Sequence, residues 1–149
     1  METLSILAAT ASDCAGCASL LEVQLSEHGV QAPREKLLPV LERVVADRKL
    51  GFLLVARENL RIVGVAYSAT LLSAEHCGFV SSLEELYVAP DCRERGIGTE
   101  LLKAVLNQAR SDGMAAIELE VDTGHARVMA LYMRHGFRRL DRSRWLRPL

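Results

Sequence analysis

The sequence predicts a mixed α/β domain, a sheet flanked by helices, and three observations lead there. Strands dominate the first half, and the second half reads strand, helix, strand, helix, strand. Hydrophobic residues make up 50% of the chain and charged residues 25%, the balance of a packed globule rather than a disordered or fibrous chain. The 149 residues suit a single core, and no repeat, low-complexity tract or Pro/Gly/Ser-rich linker divides them.

In order along the chain, Leu4 to Ala9 reads as a first strand. Thr10, Ser12 and Asp13 are candidate caps for a helix running to about Glu27, with Leu20, Leu21, Val23 and Leu25 on its apolar side and Gly29 as its stop. A second helix is predicted from Pro33 to about Asp47, kinked or restarted at Pro39, where a backbone donor is missing. Phe52 to Arg57 and Arg61 to Leu72 read as antiparallel strands turning at Glu58 and Asn59. Ser82 to Val88 is a strand closed by Ala89, Pro90 and Asp91. Leu101, Leu102, Val105, Leu106 and Ala109 form the stripe of a helix from Gly98 to Asp112, stopped by Gly113. Ile117 to Val121 is then a strand, Ala126 to His135 a helix, and Phe137 to Leu146 one or two further strands.

Composition narrows the function. A net charge of -1 and a pI near 6.4 give no global attraction to a nucleic-acid backbone or an anionic membrane, so any anion site must be local. No apolar run reaches the roughly 20 residues that cross a bilayer. The N-terminus has Glu2 and no basic residue ahead of its apolar stretch, so no secretory leader is expected and a cytoplasmic location is. Cys14 and Cys17 form a lone C-x-x-C, which Cys77, Cys92 and the histidines at 28, 76, 125 and 135 do not extend into a zinc spacing; buried thiols and no metal are expected. The arginines at 134, 138, 139, 142, 144 and 147 read as a solvated face, with a patch for an acidic partner as the alternative.

The segment from Leu86 to Thr99 places a strand, an Arg- and Gly-rich turn and a helix start in succession. The first turn of a helix presents unpaired amides and a partial positive charge, which suits a pyrophosphate. Gly96 and Gly98 admit close approach of the backbone, and Arg93 and Arg95 can add charge-assisted hydrogen bonds. A Walker loop is excluded because no lysine follows Gly98. A dinucleotide fingerprint has Gly96-x-Gly98, and Glu118 and Glu120 further on, but Leu101 stands where its third glycine belongs.

The run Arg93-Glu94-Arg95-Gly96-Ile97-Gly98 is preceded by Glu85-Leu86-Tyr87-Val88-Ala89-Pro90 and followed by Ala130-Leu131-Tyr132-Met133-Arg134-His135-Gly136-Phe137. Over residues 83 to 137 the chain resembles the GNAT superfamily of acetyl-CoA-dependent N-acyltransferases. The resemblance implies a mixed, mostly antiparallel twisted sheet flanked by helices and splayed between its fourth and fifth strands. It implies acetyl-CoA as cofactor, its pantetheine arm paired with the backbone of Leu86, Tyr87 and Val88 and its pyrophosphate on the turn from Arg93 to Thr99. It also implies Tyr132 as general acid at the departing thiolate, which a nearby phenol can protonate; the alternative is a Tyr packed on an amphipathic helix.

An amine acceptor must lose a proton before attack, so a base is needed. Glu84, Glu85 and Glu120 are candidates, each equally readable as a solvated strand carboxylate, and alternation puts Glu84 and Glu85 on opposite faces. Some relatives that acylate protein N-termini use a glutamate at the position of Glu120. Where many members carry Asn seven residues before the tyrosine and Ala four before it, this chain has His125 and Val128; His125 can replace the asparagine as a donor to the cofactor arm or leave that contact unmade. The expected acceptor is a small-molecule primary amine, attacked directly in a ternary complex, with a peptide amine second and a non-catalytic acyl-CoA sensor as the rival from another class. Members of the superfamily often dimerise, and a homodimer is among the possibilities.

Overall fold

The computed structural model describes residues 3–122 and 124–149; Glu2, which carried the argument on a leader, lies outside the described residues. The elements are β1 (Leu4–Ala8), α1 (Cys14–Glu27), α2 (Arg34–Ala46), β2 (Gly51–Glu58), β3 (Arg61–Ser73), β4 (Gly78–Val88), α3 (Ile97–Ser111), β5 (Ala116–Leu119) and α4 (Ala126–Arg134). The strands form one sheet in the order β1-β2-β3-β4-β5, with antiparallel neighbours except for the parallel pair β4–β5, which is joined through α3.

Both faces of the sheet are covered, and β2 shows why its sequence is a continuous apolar run. Phe52, Leu54 and Ala56 join Ile97, Leu101, Leu102 and Val105 of α3 in one core. Leu53 and Val55 join Cys14, Cys17, Ala18 and Leu21 of α1 and Leu41 of α2 in the other. Leu101 and Leu102 are fully buried, and burial of each such side chain stabilises by about 1.5–3 kcal/mol. At Gly64 a Cβ would sit 2.8 Å from Leu101 Cδ1 and 3.2 Å from the Tyr87 carbonyl oxygen, so any larger residue there would force the Leu101 side chain of α3 to shift.

At the front of α1, Thr10 donates its amide to Asp13 Oδ2 at 2.9 Å, and a short 3-10 turn, Ala11–Asp13, leads into the helix. Helix α2 runs unbroken through Pro39, which is exposed, so the expected restart does not occur. Asn59 and Leu60 make the β2–β3 turn, Asn59 with a positive φ of 53°. Strand β4 begins at Gly78, four residues before the predicted start, because Gly78 to Ser81 already pair with Ser73 to Thr70.

The strands expected from Phe137 to Leu146 do not form. Every residue from Arg138 to Leu149 is exposed and none lies in a strand or helix. Arg138, Arg139, Asp141, Arg142 and Arg144 leave no apolar face of period two to bury. The segment is tied down by ion pairs instead, Arg142 to both oxygens of Glu75 at 2.9 Å and Arg144 to Glu120 at 2.5 Å. Among the described residues no helix is long and apolar enough to cross a membrane.

Candidate active site

The site is opened by one extra residue in β4. Tyr67 of β3 pairs with Glu85, whereas the next residue, Ser68, pairs with Leu83, so Glu84 is a bulge. A bulge bends its strand and increases the local twist. The parallel ladder to β5 stops at the same place, with Leu83 opposite Leu119 as its last pair. From Glu84 to Val88 the main chain of β4 therefore has no partner from β5, and the sheet parts beside the amino end of α3.

The neighbouring Glu84 charge acts on Glu85. Glu85 lies on the α1 side, as Tyr87 does two residues on, for Tyr87 is buried in the core beneath α1. Burial first, then the neighbouring Glu84 charge, raise the Glu85 carboxyl to about 7, against the opposing influence of His28.

On the other face, Leu86 and Val88 pack against the α3-side core, and so do Leu131 and Tyr132 of α4 and Phe137. The Tyr132 ring meets Phe137 edge-on at 5.5 Å between centroids, and burial raises its phenol above the ordinary value. A phenol and a carboxyl thus lie on opposite faces of the sheet at this stretch of β4.

The turn into α3 is built by two left-handed residues, Glu94 at φ 62° and Gly96 at φ 80°, the latter capping the helix. The Glu100 amide reaches the Gly96 carbonyl at 3.1 Å, so those of Ile97, Gly98 and Thr99 lie ahead of the helical ladder. A Cβ at Gly96 would meet nothing within 4 Å, so the turn is open at that position. The turn is pinned from behind by Asp91, which accepts from both terminal nitrogens of Arg61 at 2.7 and 2.8 Å.

The remaining candidates are placed as follows. Arg93 donates Nε–H to the Val88 carbonyl at 3.0 Å, stacks over the Tyr87 ring at 5.1 Å and lies 4.0 Å from Glu27. Arg95 holds Glu58, a carboxylate only 7% exposed at the end of β2, through both terminal nitrogens. Glu94 accepts from Arg127 at 3.3 Å. His125 caps α4 through its main chain, its carbonyl accepting from Met129 at 3.0 Å. Glu120, past the end of β5, is exposed and bound to Arg144, so it is both solvated and neutralised.

The structure adds residues that sequence reading did not single out. The end of α1 spans the opening: Glu27 accepts from the Tyr87 hydroxyl at 3.1 Å, while His28 Nδ1 bonds Asp122 Oδ2 at 2.8 Å, in the connection from β5 to α4. His28 and Asp122 are 94 residues apart, and no local motif marks either. The paired thiols Cys14 and Cys17 are buried in the α1 core, and burial pushes Cys17 up to about 12, which leaves it inert.

The fold is a mostly antiparallel sheet flanked by helices that parts between β4 and β5 beside the amino end of the crossover helix α3. The profile of the acetyltransferase (GNAT) family matches residues 14–137, and the chain belongs to that family. An L-methionine sulfoximine/L-methionine sulfone acetyltransferase of Pseudomonas paraeruginosa is 34% identical over 61 residues, 40% of this chain. The match spans only 36% of that relative's own length. An uncharacterised N-acetyltransferase of Bacillus subtilis, YhfO, is 25% identical over 134 residues, 90% of this chain and 89% of its own. Among solved structures, the aminoglycoside N-acetyltransferase AAC(6')-Iy in complex with CoA superposes with a TM-score of 0.84 at 18% identity, covering 99% of this chain and 96% of that one.

Proposed function

We propose that this protein is an N-acetyltransferase that moves the acetyl group of acetyl-CoA to a small-molecule primary amine by direct attack in a ternary complex. The observation that carries the reading is the coincidence at Glu84, where one bulge both ends the β4–β5 ladder and brings a carboxyl of raised pKa to the opening. The residues fit the cofactor: the edge of Leu86, Tyr87 and Val88 that β5 leaves unpaired suits the pantetheine amides, and the Ile97, Gly98 and Thr99 amides ahead of the helical ladder, beside the open space at Gly96, suit the pyrophosphate. Arg93 is near enough to add charge once it leaves the Val88 carbonyl.

Bound there, acetyl-CoA supplies the acyl thioester and a thiol leaving group. Glu85 takes a proton from the acceptor ammonium on the α1 side, for which a carboxyl titrating at about 7 is matched to neutral pH. Tyr132 holds its phenolic proton on the opposite side, where the leaving sulfur needs it. Glu85 is preferred to Glu120 because the latter's charge is spent on Arg144. The acceptor meets Glu84, Glu85 and Glu27 on the way in, which favours a cationic amine over a neutral one.

The test is thiol release from acetyl-CoA across a panel holding spermidine, an aminoglycoside, free amino acids and peptides with a free N-terminus or lysine. Release with the small amines is expected. Faster release with the peptides moves the acceptor to a protein amine, and cofactor binding without release on any amine makes the chain a sensor and sinks the proposal.

A further inference from the structure

Resting on the cofactor placement above, we infer that Arg127 is a further binding residue for coenzyme A, one that takes the phosphate on the ribose. The chemistry of the cofactor asks for such a group. Coenzyme A carries a diphosphate and, beyond it, a separate phosphate on its ribose. With the diphosphate on the Ile97, Gly98 and Thr99 amides, the ribose phosphate still needs a cation.

The opening has two ends. At one, Leu83 and Leu119 close the β4–β5 ladder. Past that pair β4 leads into the turn that carries Glu94, and β5 leads toward α4. The two margins meet again where Arg127 Nη1 donates to Glu94 Oε1 at 3.3 Å, across 33 residues of sequence. Pantetheine along Leu86 to Val88 and the diphosphate at the head of α3 follow the chain in this direction. The order of groups within the cofactor therefore brings its ribose to the rim that Arg127 and Glu94 form.

Of the arginines around the turn, Arg127 has the least to give up. Arg61 holds Asp91 through both terminal nitrogens at 2.7 and 2.8 Å, and Arg95 holds Glu58, a carboxylate only 7% exposed. Arg93 is bonded to the Val88 carbonyl and stacked on Tyr87. Arg127, 87% exposed, is tied to a carboxylate that is itself 75% exposed. A surface pair of this kind contributes little to stability, whereas a phosphate can be gripped by a guanidinium through two parallel N–H bonds. Nor does α4 need the charge. Arg127 is the second residue of that helix, whose first turn holds no acidic residue, and a cation there opposes the helix dipole. Glu94, at a left-handed φ of 62° in the turn, offsets this and keeps the guanidinium at the rim until the phosphate replaces it.

Titration calorimetry on the full chain, with coenzyme A and with its form lacking the ribose phosphate, decides the matter, because the two ligands differ in that group alone. Wild type is expected to bind coenzyme A roughly fivefold more tightly than the dephospho form. Arg127→Gln should lose that preference, with affinity for the dephospho form and melting temperature unmoved. Lys103→Gln, which removes another exposed cation, paired with Glu100 at 3.2 Å on α3, should keep it. Glu94→Gln should tighten coenzyme A roughly threefold, and only where Arg127 is present.

Equal affinity of wild type for the two ligands overturns the inference, as does a preference that survives Arg127→Gln or that Lys103→Gln abolishes. A loss in Arg127→Gln shared equally by both ligands also overturns it, by putting the guanidinium on the diphosphate. Tightening by Glu94→Gln in both backgrounds overturns the exchange of partners. If wild type binds neither ligand, it is the cofactor placement that fails, and the assignment of Arg127 with it.

Discussion

The guanidinium of Arg93 holds the carbonyl of Val88, Nε to oxygen 3.0 Å, and so satisfies the last main-chain acceptor of β4 from within the chain. That carbonyl belongs to the stretch offered to the pantetheine arm, so cofactor entry exchanges one partner for another and frees Arg93 for the phosphates. Arg93→Ala removes the charge along with the plug. Because charge-assisted hydrogen bonds contribute about 1.5–3 kcal/mol, coenzyme A affinity should fall roughly tenfold or more in titration calorimetry. The salt dependence of binding should weaken with it, and an unchanged affinity at low salt would mean that Arg93 never turns to the phosphates.

Gly96 tests the cradle by obstruction. Its φ of 80° costs a side chain on the order of 1 kcal/mol, yet nothing in the protein stands where the Cβ would be. Gly96→Trp should therefore fold with a melting temperature a few degrees lower while losing coenzyme A binding altogether. Retained binding in a folded variant would move the phosphates away from this helix end.

Tyr132→Phe keeps the edge-on contact with Phe137 and deletes only the hydroxyl. Stability should change little, since the ring stays packed. If the phenol delivers the proton to sulfur, kcat should drop on the order of a hundredfold with little change in KM for acetyl-CoA, whereas a packing role predicts wild-type turnover.

Glu85 links activity to stability in opposite senses. Its carboxyl is raised to about 7 in the fold, so between the ordinary carboxylate value and about 7 the native state binds more protons than the unfolded chain. Its contribution to stability is present at acid pH and is lost as pH rises through about 7, while kcat/KM should rise over the same range. Glu85→Gln is expected to flatten the activity profile near pH 7 and to be more stable than wild type at pH 8, the two enzymes converging near pH 4. Denaturant unfolding at the two pH values measures this, and a variant less stable at pH 8 would contradict the burial argument.

What was legible in the sequence follows from how local its cause is. Helix α3 was readable to within a residue because its apolar stripe, its glycine-capped start and Gly113 all lie within the segment itself. The parting of β4 and β5 was implied by the family resemblance, but its cause was not visible, since a bulge at Glu84 is a property of the pairing with Tyr67 and Ser68. His28 and Asp122 could not be found at all, because their bond depends on where α1 and the β5–α4 connection end in space. The tail after Phe137 failed differently, for a strand there had no apolar face to support it.

The residues of β5 and α4 are at most partly buried, although each of the other strands of the opening's framework, β2, β3 and β4, sinks several side chains fully into the core. Sub-global opening takes its lowest-energy route through whatever is least anchored. In native-state hydrogen exchange the amides of residues 116–119 and 129–135 should lose protection well before those of β2 and β3. The lip that carries Tyr132 is then a hinged margin whose breathing admits a long thread between two strands, while the carboxylate on the far margin stays seated in the rigid half of the sheet.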